Sequence, residues 1–91
     1  MQVNFDFVRA RNMMSELDDY IKAMNELSDL LKSEVDSAAM WWKGPSYDGY
    51  KEGYDKLKGG AEYISQNLGK MRNYVNDVAN KKKNIENKNY F

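Results

Sequence analysis

The sequence predicts an all-α chain: an antiparallel helical hairpin with a short Trp-x-Gly turn, dimerising into a four-helix bundle. Three observations point there. Apolar residues recur at alternating steps of four and three through both halves of the chain; the one proline, Pro45, stands beside Gly44 almost at the midpoint; and 91 residues leave room for a single domain only.

The first helix is expected over about 4–42. Its stripe reads Val3, Phe7, Ala10, Met14, Leu17, Ile21, Met24, Ser28, Leu31, Val35, Ala38, Trp42, eleven of twelve apolar where a 42% apolar composition would give about five by chance. Asn4 is placed to cap this helix, with Val3 and Val8 as the staple around the cap. A turn over 43–46 follows, in which Gly44 takes the conformation that ends a helix. Pro45, with no amide hydrogen, is preorganised for the first turn of the next one.

The second helix is expected over about 46–83, on the stripe Tyr47, Tyr50, Tyr54, Leu57, Ala61, Ile64, Leu68, Met71, Val75, Val78, Lys82, Ile85. Lys81, Lys82 and Lys83 suit the negative end of its dipole, and 84–91, with no sustained stripe, reads as a frayed tail. Glycines at 49, 53, 59, 60 and 69 each cost a helix up to about 1 kcal/mol relative to alanine. Two readings stand for them: Gly49, Gly53 and Gly60 share nearly one face and admit a bulky Trp or Tyr of another helix, or Gly59 and Gly60 mark a kink or a local break.

The halves differ in charge. Residues 1–44 carry five basic and eight acidic side chains, and 45–91 carry nine and six, so helices packed side by side attract. Asp18 with Lys22, Glu52 with Lys56 and Asp77 with Lys81 are spaced for pairs on the outer faces.

Two helices bury a seam between them and leave their flanks wet. Met13, Tyr20, Leu27, Leu30, Trp41, Tyr63 and Tyr74 fall on those flanks, so the first six are expected in a dimer interface, Leu27 and Leu30 contributing roughly 1.5–3 kcal/mol each when covered. The absence of cysteine and histidine removes disulfide frameworks, zinc sites, thiol nucleophiles and imidazole bases. No catalytic residue, metal site or cofactor is expected, and a thin bundle offers no enclosed pocket to perturb its carboxylates or tyrosines. Zero net charge argues against a wholly basic nucleic-acid binder. No apolar run has the roughly 20 residues of a bilayer span, and the N-terminal residues lack the basic-then-apolar build of a signal peptide.

At the turn, Trp42 and Tyr50 are large rings placed to close the hairpin tip. This segment, Trp42-Lys43-Gly44 followed by Ser46 and Tyr50 between two amphipathic stripes, resembles the WXG proteins, the ESAT-like or early-secreted-antigen family of type VII secretion substrates. The resemblance covers nearly the whole chain. It implies a hairpin that pairs with itself or with a WXG-type sister protein and is recognised by a secretion ATPase. Such a protein is cytoplasmic before export and extracellular after it, with no cleaved signal, and is associated with virulence in Gram-positive bacteria.

In that family the turn motif, here Trp42, Gly44 and Tyr50, works with a Tyr-x-x-x-Asp/Glu signal late in the second helix. This chain departs from the pattern: four positions after Tyr74 stands Val78, and Asp77 comes at three. Tyr74 and Asp77 form a shifted version of the signal, or the partner chain carries it, or the 81–91 tail does. Two further readings stand beside that of a secretion substrate. One is a helical companion or chaperone of a larger type VII toxin. The other, from a different class, is a membrane-active or nucleic-acid-binding helical protein, suggested by the stripe and the three lysines.

Overall fold

The computed structural model describes the backbone of residues 5–88 and the side chains of 5–83, and among these residues there are two helices and no strand. Helix α1 spans Phe7–Ala38 and helix α2 Pro45–Lys88. They run antiparallel: Asp18 of α1 meets Arg72 of α2 at 3.2 Å, and Lys82 lies over the Phe5 ring at 5.9 Å. The result is a rod of 72 × 16 × 16 Å between Cα atoms. Its radius of gyration of 20.7 Å compares with about 12 Å for a compact chain of this length.

The bounds differ from the sequence expectation, each for a visible reason. Val3 and Asn4 lie outside the described residues, and the cap of α1 is Asp6. In extended conformation (φ −93°, ψ 106°), Asp6 accepts from the amides of Val8 and Arg9 at 3.0 and 3.1 Å.

Helix α1 ends at Ala38, before the expected Trp42, because the chain tightens there: the Met40 and Trp41 amides donate three residues back, to Ser37 and Ala38. The Trp42 amide also returns to the Ala38 carbonyl, at 2.9 Å, and the Lys43 ammonium donates to the Ala39 carbonyl at 2.7 Å. The connection is therefore 39–44, longer than the expected turn over 43–46.

Gly44 serves α2 rather than α1. Its φ of +105° is open to glycine alone at low cost, and its carbonyl accepts from the amides of Tyr47 and Asp48, so it is the cap of α2, with Pro45 at the first helical position. Helix α2 then continues unbroken through Gly59 and Gly60, so neither marks a break, and on to Lys88, past the expected onset of fraying at 84.

Every described member of the α1 stripe is at least half-buried against α2, and Ala10, Leu17, Val35 and Ala38 are fully buried. The α2 stripe splits. Tyr47, Tyr54, Ala61, Leu68 and Val75 face α1, while Tyr50, Leu57, Ile64 and Met71, expected in the same seam, are exposed. Midway along the rod the small residues Ser28, Gly60 and Ala61 leave an open, almost wholly apolar groove of about 230 Å3.

The charges also pair differently from the expected outer-face pattern. Glu52 and Lys56 meet at 3.7 Å as expected, but Asp18 turns to Arg72 across the helices, and Lys22 pairs with Glu26 at 4.0 Å. Asp77 and Lys81 form no ion pair among the described residues. Exposed pairs of this kind contribute about 0–1 kcal/mol each, so the rod is held by its apolar seam.

Candidate interaction surface

Two features stand out: a tip closed by aromatic rings, and a broad apolar face left open along the rod. At the tip, the 39–44 connection and the start of α2 place Trp42, Tyr47 and Tyr50 together. The Trp42 ring lies 5.2 Å from Tyr50 in a tilted contact and 6.1 Å from Tyr47 edge-on, and Tyr47 and Tyr50 are 6.4 Å apart. The indole N–H of Trp42 donates to Ser46 Oγ at 2.8 Å, closing the loop over Gly44. The Tyr47 hydroxyl donates to the Val35 carbonyl at 3.3 Å, tying the first turn of α2 to the last turns of α1.

The sequence brings Trp42 and Tyr50 to one cluster, and there the structure places them. Tyr47 and Ser46 complete it in roles that spacing alone did not assign. Trp41 stacks on Trp42 at 5.8 Å yet stays 74% exposed, and Met40, singled out by no pattern, is 82% exposed.

All seven flanking residues read from the sequence (Met13, Tyr20, Leu27, Leu30, Trp41, Tyr63 and Tyr74) are exposed. Leu57, Ile64 and Met71 of α2 are exposed as well; Leu27 meets Leu57 and Ile64 at the central groove, whereas Leu30 sits apart, with Glu26, Asp29 and Ser33. Toward the other end, Met13, Phe5 and Ala10 of the α1 side line a second open groove of about 310 Å3 with Tyr74, Val75 and Val78. Tyr74 is 70% exposed and Asp77 is exposed, and neither hydrogen-bonds the other among the described residues. Tyr74 stands about 36 Å of helix beyond Tyr50, so a single chain does not bring the turn residues and the Tyr74 region together.

The signal that would have found Leu57, Ile64 and Met71 is a second ladder in α2, spaced by seven and offset from the buried one: Tyr50, Leu57, Ile64, Met71, Val78, interleaved with Gly53, Gly60, Asn67 and Tyr74. Nothing within the chain fills the space over those glycines: a Cβ built on Gly49, Gly53 or Gly60 meets no heavy atom within 4 Å. Among the described residues, no three acidic side chains converge to hold a metal ion, and no helix is long and apolar enough to cross a membrane. No protein-family model, curated protein or solved structure matches the chain.

Proposed function

We propose that this chain is a secreted WXG-type helical protein, a substrate of a type VII secretion system that acts by dimerisation and protein–protein recognition and not by catalysis. The observation that carries the reading is the combination of a ring-closed Trp42 tip with apolar side chains left open from Met13 to Leu30 on α1, at Trp41 in the connection, and from Tyr50 to Tyr74 on α2. The hairpin exposes 7566 Å2, about 2,000 Å2 more than a globular chain of this mass. A standard interface needs only about 800 Å2 from each partner.

Covering that face makes a four-helix bundle, and the tip and the Tyr74 end of the bundle then offer shape to an export ATPase. Secretion from a bacterium carrying such a system tests the reading. Trp42→Ala and Gly44→Val should abolish export while the chain remains helical in the cytoplasm, and undiminished secretion of both defeats the assignment.

The absence of an acidic residue four places after Tyr74 favours a second reading, in which this chain is the companion of a larger type VII toxin whose own helical domain carries the export signal. Co-purification with such a toxin, together with failure to self-associate, would select it.

A further inference from the structure

The five α2 glycines are costly in a helix, and the hairpin itself gives none of them a reason: no neighbour approaches any of them, and none breaks the helix. We propose that a second copy of this chain closes on the ladder of α2, antiparallel to it, so that each ladder glycine receives an apolar side chain of the partner: Gly60 a Met that is exposed in the single chain, and Gly53 a Val that is half-buried there. This rests on the dimeric reading above and specifies its seam.

The two faces of α2 are set for such contact. The side turned to α1 and the exposed ladder lie about 100° apart around the helix, close to the angle that a four-helix bundle asks of each member. Centred between Ser65 and Gln66, the middle of the rod, the antiparallel register sets Gly53 opposite the partner's Val78 and Gly60 opposite the partner's Met71. Leu57 then faces the partner's Tyr74, and both residues are more than half exposed in the single chain.

Charge selects this register from its neighbours. On the flank away from α1, Lys56 comes level with the partner's Asp77 to within about 3 Å, and Asp77 has no ion partner of its own among the described residues. Sliding one copy by a heptad sets Lys56 against the partner's Lys70 in one direction, and Lys70 against the partner's Lys70 in the other. The antiparallel sense also brings the acidic first turns of α2, with Asp48 and Glu52, alongside the end that carries Lys81 to Lys83.

The chain contains no cysteine, so positions can be tagged cleanly. Leu57→Cys with Tyr74→Cys, oxidised at micromolar concentration, should give a covalent dimer whose mapped disulfides join position 57 of one chain to position 74 of the other. Closure within one chain is excluded by the roughly 25 Å of helix between them. Links joining 57 to 57 and 74 to 74, or no link in a chain that sediments as a dimer, overturn the seam and leave the dimeric reading standing. A monomer by sedimentation overturns self-pairing and the seam together.

As a second measurement, Gly60→Ala should leave helicity equal or higher, since a Cβ there meets nothing, yet raise the dimer dissociation constant at least tenfold. A variant both more helical and equally or more tightly dimeric refutes the proposal.

Discussion

Trp42→Ala is the most informative single change at the tip. A fully buried tryptophan truncated to alanine costs about 3–5 kcal/mol. Trp42 is only half-buried, which scales that cost to about 2 kcal/mol, and its edge and tilted contacts with Tyr47 and Tyr50 add about 0.5–1.5 kcal/mol. Its bond to Ser46 is exposed and adds little. The expected loss of about 2–3 kcal/mol corresponds to a fall of about 10–20 °C in midpoint for a chain of this length.

Trp41→Ala is the control for the single hairpin, in which Trp41 makes one stacking contact and is otherwise in solvent: at concentrations too low for pairing its loss should stay below about 1 kcal/mol. Urea unfolding followed by far-ultraviolet circular dichroism, with every variant at one protein concentration, measures both. Equal losses for the two tryptophans would show that the ring cluster does not hold the tip, and the role given to Trp42 would fall with it.

Other positions give independent checks. Leu17→Ala, at a buried contact between the helices, should cost about 2–5 kcal/mol by the same unfolding measurement. Asp6→Ala removes the acceptor of two α1 amides and should cost about 1 kcal/mol, and Asp6→Asn should recover most of it. Gly44→Ala forces a Cβ into a positive-φ position and should cost about 1–2 kcal/mol even though the space around it is empty, so a neutral result would contradict the observed turn geometry. Asp18→Asn should cost at most about 1 kcal/mol, and that difference should shrink as salt is added, because the pair with Arg72 is partly exposed.

The α1 pattern was legible because one stripe does one job: each of its described residues turns toward α2. In α2 the same four-and-three stepping merged two ladders. A stripe two residues wide per turn fits either one broad face or two adjacent faces, and only the partner helix shows which members it covers. Tyr47, Tyr54 and Ala61 are covered, while Tyr50, Leu57 and Ile64 are not.

The connection was misread for a local reason. Residues 39–42 keep winding after the helix has tightened, so Trp42 stays in phase with the stripe although α1 has ended. Gly44 reads in the sequence as the stop of α1, whereas its hydrogen bonds make it the cap of α2; Pro45 opens α2, as its missing amide hydrogen suggests. The Trp42–Tyr50 contact was legible from spacing, whereas the Ser46 acceptor and the Tyr47 clasp depend on how the loop folds over Gly44.

A slender body meets an aperture differently from a round one. Balled into a globule, a chain of this length would be roughly 30 Å across in every direction. Drawn out as it is, its breadth between Cα atoms is 16 Å and almost all of its bulk lies along one axis. A conduit gauged by girth would admit such a molecule end-on with its helices intact, so for this architecture threading and folded passage need not be competing fates.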